Sequence, residues 1–382
     1  MLRNTKVVLF LLFMVPLMSA HAAIVTPNPA APSIAAKAHV LIDYDSGSVL
    51  AEENADLRLP PASITKLMTS YVVSHELHAG NISLDDEVLI SEKAWRMIGS
   101  RSFIKVNTKV SVEALLRGMI VQSGNDAAVA LAEHIAGSEE VFAQMMNQYA
   151  QQLGMVDTNY VNATGLPDPD HYTTARDIAT LSAALIRDFP EHYAWYAEKE
   201  FTYNNITQHN RNKLLWRDNS VDGLKTGHTE EAGFCLAASA KRGDMRLITV
   251  VLGTRSENAR AQETQKLLNY GFRFFETHQL YKANVGITNT KVWKGAQDSL
   301  SLGLAKALIV TVPRGKYDDL AATTNIQQPV IAPIEAGTQL GEVEIRLGDE
   351  LIAKQPLVAL TPIEKGSWWR RLIDEILLWI WG

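Results

Sequence analysis

Ser63 and Lys66 stand three residues apart in the run Pro60-Pro61-Ala62-Ser63-Ile64-Thr65-Lys66-Leu67-Met68-Thr69-Ser70-Tyr71-Val72-Val73. Ile64, Leu67, Met68, Tyr71 and Val72 fall on the i, i+3, i+4, i+7, i+8 stripe of a packed helix. The two prolines stop regular structure just ahead of it and put Ser63 in the first turn. Ser63 and Lys66 then share one helix face. A serine hydroxyl is a poor nucleophile without a base in hydrogen-bond reach. Lysine serves as that base once burial lowers its pKa, and Lys66 lies among apolar neighbours. The plain alternative is a capping serine beside a lysine that snorkels to solvent, because Ser-x-x-Lys also arises by chance.

Two further triplets supply what that pair lacks. Ser123-Gly124-Asn125 sits between two helical stripes, in a connecting loop able to turn side chains into a cleft. Read alone it is turn chemistry, with Gly at a helix end and Asn125 or Asp126 capping the next helix. Lys225-Thr226-Gly227 opens a strand-like stretch, where alternate side chains share a face and Gly admits close backbone approach.

The elements that must position these residues follow from periodicity. His39–Asp43 and Val49–Glu52 around Asp45-Ser46-Gly47 read as a β-hairpin. Apolar stripes at 112–121, 127–135, 142–153 and 178–186 predict helices. A second hairpin runs through 234–240 and 246–252 about Arg242-Gly243-Asp244, and 260–275 reads as helix. Strands at both ends and helices between them predict an α/β sheet layer with a helical insert. Beyond about Asn284, short β-rich runs separated by Gly, Pro and Asp predict a small all-β domain over 285–362.

The chain has 382 residues, room for two domains. Its net charge of −6 leaves no basic footprint for nucleic acid. A single cysteine, Cys235, rules out an intramolecular disulfide, and its apolar run reads as a buried thiol. Arg3 and Lys6, the apolar run 7–18 and Ala20-His21-Ala22 read as a signal peptide over 1–22, with a linker at 23–36. An uncleaved anchor is the alternative, but the apolar run is shorter than the ~20 residues that span a bilayer.

The tail is amphipathic. Trp368, Trp369, Leu372, Ile373, Ile376, Leu377 and Ile380 mark one helical face; Arg370, Arg371, Asp374 and Glu375 mark the other. Residues 368–381 extend ~21 Å as a helix, short of a bilayer core of about 30 Å. A helix at 365–382 lying in the membrane interface is the reading favoured by four tryptophans; docking on the protein's own body or a second copy is the other.

Ser-x-x-Lys opening a helix, Ser-x-Asn between helices and Lys-Thr-Gly on a strand together form the signature of penicillin-recognising serine enzymes. The sequence resembles the low-molecular-mass penicillin-binding proteins, specifically membrane-attached D-alanyl-D-alanine carboxypeptidases. The likeness runs through Pro60–Ser70, Gln122–Ala127, Thr174-Ala175-Arg176-Asp177, Asp222–Thr229 and Tyr270–Phe275. It implies a penicillin-binding, β-lactamase-like transpeptidase domain over 37–280, with an antiparallel sheet, helices and a helical insert. No cofactor and no metal are implied.

The resemblance also implies roles. Ser63 attacks the carbonyl of the D-Ala-D-Ala bond and Lys66 accepts its proton. The backbone N–H groups of Ser63 and His228 form the oxyanion hole. Ser123 and Lys225 pass a proton to the departing amine. Asn125 holds the substrate amide, while Thr226, beside Gly227, and Arg260 receive the terminal carboxylate; Arg255 competes with Arg260 for that part. Arg211 and Asp177 are read as structural supports. The partners implied are peptidoglycan stem peptides, β-lactams and the membrane surface, at the periplasmic face of the bacterial inner membrane. Ser-Gly-Asn in place of Ser-Asp-Asn, and the lack of a Glu-x-x-Leu-Asn segment, argue against efficient β-lactam hydrolysis. A DD-endopeptidase with the same residues, and a catalytically inactive wall-binding protein, are the alternative readings.

Overall fold

The computed structural model describes residues 30–381. The leader expected over 1–22 and the first part of the 23–36 linker lie outside the described residues. From Ala31 onward the chain forms one compact unit.

Strands β1 (Ala38–Asp43) and β2 (Val49–Glu53) form the first hairpin. A 3₁₀ turn, Ala62–Thr65, leads into helix α1 (Lys66–His78). Four longer helices follow: α2 (Val112–Gln122), α3 (Asn125–Ala136), α4 (Glu139–Gln152) and α5 (Ala175–Asp188). Ser111, Ser138 and Thr174 cap α2, α4 and α5 by accepting the N–H three residues on, the device that satisfies an orphan donor of a first turn. Then come β3 (Val221–Thr229), β4 (Gly233–Arg242), β5 (Met245–Thr254) and α6 (Glu257–Phe274). The sheet order is β2-β1-β5-β4-β3, antiparallel throughout, so the two predicted hairpins join in one sheet and β3 lies at its edge.

Helix α1 is the centre of this body. Every residue from Lys66 to Ser74 is buried, so its predicted apolar stripe widens to the whole circumference. Such a helix is stabilised by packing on all sides rather than by propensity. The core around it draws on Val40, Leu67, Met68, Val72, Leu115, Met119, Leu131, Phe142, Leu181 and Val250. Two side hairpins, 87–89 with 109–111 and 200–203 with 206–209, lie outside the elements read from sequence, because strands of three or four residues are too short to show an alternating pattern.

Strand β6 (Phe275–Tyr281) follows α6 directly and pairs with β9 (Leu308–Pro313). Pairing into the C-terminal half thus starts at Phe275, within the span assigned from sequence to the first domain. β6 and β9 form a two-stranded sheet; a separate six-stranded C-terminal sheet holds β7 (Gly286–Trp293), β8 (Ser299–Gly303), β10 (Leu320–Ile326), β11 (Val330–Ile331), β12 (Gln339–Leu347) and β13 (Glu350–Ala359). It closes its own core around Val292, Leu302, Val310, Val343, Ile345 and Leu357. Helix α7 (Trp368–Trp381) ends the chain.

The two halves are joined by a polar cluster on a buried carboxylate. Asp43, fully buried at the end of β1, accepts from Ser46 Oγ at 2.9 Å and from Thr277 Oγ1 of β6 at 2.7 Å. Ser46 Oγ also lies 2.7 Å from Thr311 Oγ1 of β9. Replacing Thr277 by valine keeps the shape and removes one donor to a buried charge, a loss of about 1.5–3 kcal/mol. Thr277→Val is therefore expected to lower the midpoint of urea or thermal unfolding; an unchanged midpoint would show that the cluster contributes nothing to stability.

Candidate active site

The turn Ala62–Thr65 carries Ser63 at the mouth of a cleft. Ala62 takes a left-handed φ of +47°, a costly conformation for a residue with a Cβ. Its surroundings hold it there. Gly165 lies so close that a Cβ on it would stand 1.8 Å from the Ala62 carbonyl oxygen. The loop 162–166 thus presses on the turn with no room for a side chain.

Lys66 is the first residue of α1 and is 1 % exposed. Its Nζ lies 3.1 Å from Ser63 Oγ, 2.7 Å from Asn125 Oδ1 and 2.5 Å from the Thr164 carbonyl. The Asn125 amide is oriented by its other end, where Nδ2 donates to the Ile98 carbonyl at 2.6 Å. Both carbonyl oxygens can only accept. A neutral amine has two N–H bonds, which they consume, so its lone pair is left facing the Ser63 hydroxyl. Burial, with help from the Arg211 charge, holds the Lys66 pKa down to about 7. The base form is therefore available near neutral pH.

Ser123 closes α2 in a left-handed conformation, φ +70°, and Asn125 opens α3 two residues later. The connecting turn is pinned from outside. Asn125 N donates to the Ser100 carbonyl at 2.8 Å, and the buried Asp126 carboxylate accepts from Ser102 N at 2.7 Å. Among the described residues, the buried Ser123 Oγ has no hydrogen-bond partner, which leaves it free for a ligand.

Because β3 is an edge strand, its outer side meets the nucleophile turn. A Cβ on Gly227 would stand 3.0 Å from the Pro61 carbonyl and 3.2 Å from Ala62 Cβ, so a larger residue would push strand and turn apart by a few tenths of an ångström. Lys225 is buried, and burial first, then the Lys66, Arg211 and Arg260 charges, push its pKa well below the usual lysine range. Arg260, in the first turn of α6, is 4 % exposed. It donates to the Gly227 carbonyl at 3.3 Å and pairs with Glu257 at 3.3 Å. Arg255 is exposed and does not line the cleft, which separates the two arginines that sequence register left open.

The cleft has a volume of about 410 Å³ and is lined by Ser63, Ser123, Asn125, Thr226, Gly227, His228 and Arg260, with Lys66 and Lys225 buried behind its wall. All nine residues singled out from sequence converge here. Arg211, read from sequence as a structural support, instead lines the cleft with an exposed guanidinium. Asp177 has the contacts of a support: it accepts from Asp157 N at 3.0 Å and from Thr158 Oγ1 at 2.7 Å. Sequence reasoning missed Glu257, which lines the cleft one turn before Arg260 and is held by Lys213 at 2.6 Å. The i, i+3 spacing of Glu257 and Arg260 was the available signal. Among the described residues no group of three or more His, Cys, Asp or Glu is arranged to hold a metal.

A nucleophile with its base, a free hydroxyl and a buried arginine on one rim are the parts for acyl transfer on a substrate that carries an anion near the scissile bond. Comparison with known proteins agrees with that chemistry. The family model described as D-alanyl-D-alanine carboxypeptidase matches residues 25–256, and that of the penicillin-binding protein 5 C-terminal domain matches 275–365. D-alanyl-D-alanine carboxypeptidase DacC of Escherichia coli is 46% identical over 356 residues, 91% of this chain and 89% of that protein. Penicillin-binding protein 5 from Haemophilus influenzae, 43% identical, superposes with a TM-score of 0.86 over 88% of this chain and 100% of that one. Penicillin-binding protein D2 from Listeria monocytogenes, in its ampicillin-bound form, matches with a TM-score of 0.59 at 32% identity over 64% of this chain and 100% of that one. With the motif residues gathered in one cleft and both family models matching in order along it, this chain belongs to the D-alanyl-D-alanine carboxypeptidase family of penicillin-binding proteins.

Proposed function

We propose that the protein is a serine-type D-Ala-D-Ala carboxypeptidase that removes the terminal D-alanine from peptidoglycan stem peptides. The observation that carries this reading is the Lys66 amine, buried and aimed by two fixed acceptors at Ser63. Ser63 Oγ attacks the carbonyl carbon of the penultimate D-alanine while Lys66 takes its proton. The N–H groups of Ser63 and His228 receive the oxyanion. The C–N bond breaks, the departing amine takes a proton delivered through Ser123 and Lys225, and free D-alanine leaves. Water then attacks the ester, and its proton returns by way of Lys66. Thr226 and Arg260 hold the terminal carboxylate, and Asn125 the peptide amide.

The Arg260 position favours a carboxypeptidase over an endopeptidase. A buried guanidinium desolvates at a cost that a free carboxylate repays and an internal peptide bond does not. β-lactams mimic the same acylation step, in keeping with the ampicillin-bound relative.

The protein is further read as exported and held at the periplasmic membrane surface by α7. Among the described residues no helix is long and apolar enough to cross a membrane. In α7, Arg370 pairs with Asp298 and Glu375 with Lys294, so charged residues turn toward the β domain. Trp368, Trp369, Leu372, Ile373, Ile376, Leu377, Trp379 and Ile380 remain exposed, a contiguous apolar surface suited to lipid.

Labelled penicillin is expected to attach to Ser63, and Ser63→Ala to abolish labelling in a folded protein. Lys66→Ala is expected to slow acylation by ~10²–10⁴-fold. In the wild type, acylation should show an acid limb near pH 7, falling about tenfold per unit below it as Lys66 gains a third N–H and loses its lone pair. The limb reports the coupled Lys66–Lys225 pair. Attachment at another residue, or a rate flat from pH 5 to 8, would remove Lys66 as the base.

Arg260→Ala should slow D-alanine release from free-acid peptides by roughly 10–150-fold, the worth of a charged hydrogen bond in the transition state. It should barely change turnover of the matching C-terminal amide. Equal losses on acid and amide would take the carboxylate role from Arg260.

Deleting residues 367–382 should give a protein that no longer sediments with vesicles yet still cleaves soluble peptides, since no cleft residue lies there. Undiminished vesicle binding by the truncated protein would refute the anchor.

A further inference from the structure

His171 lies outside the set of motif residues, yet it is buried beneath the nucleophile turn, 3 % exposed. The N–H of Val161 donates to its Nδ1 at 3.1 Å. Nδ1 therefore carries no hydrogen, and Nε2 does. Nε2 lies 2.8 Å from Thr65 Oγ1, so the ring donates there. The imidazole thus ties two segments together. One is the turn Ala62–Thr65 that holds Ser63. The other enters the loop whose Thr164 carbonyl holds Lys66.

The two segments meet where the backbone is strained. Ala62 is left-handed, and a Cβ on Gly165 would stand 1.8 Å from its carbonyl oxygen and 2.8 Å from Thr65 Oγ1. A turn pressed this closely by a loop keeps its geometry only if both are fixed to a common support. Segment 171–173 is that support. It bonds to Leu59 through Thr173 and to Asn159 through Tyr172, the two residues that follow His171. The ring itself is packed edge-on against Tyr160.

We propose that His171 is a positioning residue of the reaction, whose Nε2–H bond to Thr65 holds Ser63 in line with the Lys66 amine. This rests on the reading of Ser63 as nucleophile and Lys66 as base. A neutral ring is required, since a proton on Nδ1 would face the Val161 N–H. Burial supports that state by pulling the His171 pKa down to about 4.

The test compares Thr65→Val, His171→Gln, His171→Asn and the double variant Thr65→Val/His171→Asn in the full chain. Readouts are the rate of Ser63 acylation by labelled penicillin, kcat and KM for D-alanine release, and the thermal midpoint. Gln places its amide near Nε2 and keeps the donor to Thr65; Asn places its amide near Nδ1 and loses it. Thr65→Val removes only the acceptor. The expectation is an acylation rate and kcat lowered about 10–100-fold in Thr65→Val and His171→Asn, the scale of a sub-ångström misalignment, with KM within about threefold. His171→Gln should recover most of the rate, and the double variant should be no slower than the slower single. Thr65→Val acylating at the wild-type rate would overturn the proposal. So would Gln and Asn acting alike, or rates that follow the thermal midpoint alone. If the underlying reading fails instead, it shows separately, as a wild-type label that maps away from Ser63.

Discussion

The cleft depends on a lysine amine kept out of water. An exposed Lys66 would be protonated at neutral pH, and an ammonium has no lone pair to offer Ser63. Desolvation makes the charged form costly, and the Arg211 charge adds to it, while Asp126 and Glu139 pull the other way. The balance sets the amine near neutrality rather than far below it. The Thr164 carbonyl and the Asn125 amide then decide where the lone pair goes. Each of these groups has a second anchor. Asn125 is turned by the Ile98 carbonyl, and the Asn162 carboxamide accepts from both Thr164 N and Gly165 N. Much of the body around α1 therefore serves to hold two oxygen atoms still.

A second consequence is the sign of the cleft. Lys225, Arg260 and Arg211 surround the space beyond Ser63, and Glu257 is the carboxylate that shares its wall. Burial is the main reason Lys225 lies so far below its ordinary pKa, and each neighbouring cation adds to the cost of its charge. An anionic substrate group entering beside Arg260 relieves that repulsion. In the proposed reaction the same event would favour a proton on Lys225, and binding and proton delivery would then be linked through one field.

Among the described residues, the C-terminal half adds none to the cleft wall. Its contribution is mechanical: the Asp43 cluster fastens β6 and β9 to the catalytic sheet at one end. At the other, backbone bonds from Gly366 N to the Lys294 carbonyl and from Ala296 N to the Glu364 carbonyl fasten the segment that leads into α7. Exposed ion pairs are individually weak, so the backbone bonds and the short connection carry most of this attachment.

What the sequence determined by itself was local. Ser63 and Lys66 three apart, the two hairpins, the four apolar stripes and the amphipathic tail follow from periods of 3.6 and 2 and from turn residues, and they stand where they were read, except that Ser63 lies in a 3₁₀ turn ahead of α1 rather than on the helix. The motif triplets, recognised by resemblance, also converge. Strand β10 was missed because its residues, Leu-Ala-Ala-Thr-Thr-Asn-Ile, are small and exposed on both faces and carry no alternation. Only the tertiary structure decided which group aims Lys66. Thr164 acts through a backbone carbonyl, which every residue type possesses, across 98 positions. Arg211 becomes part of the cleft because a non-periodic loop returns there, and His171 because three distant segments meet beneath Ser63. Residue type and spacing record what a side chain can do; only closure of the chain sets what lies within 3 Å of it.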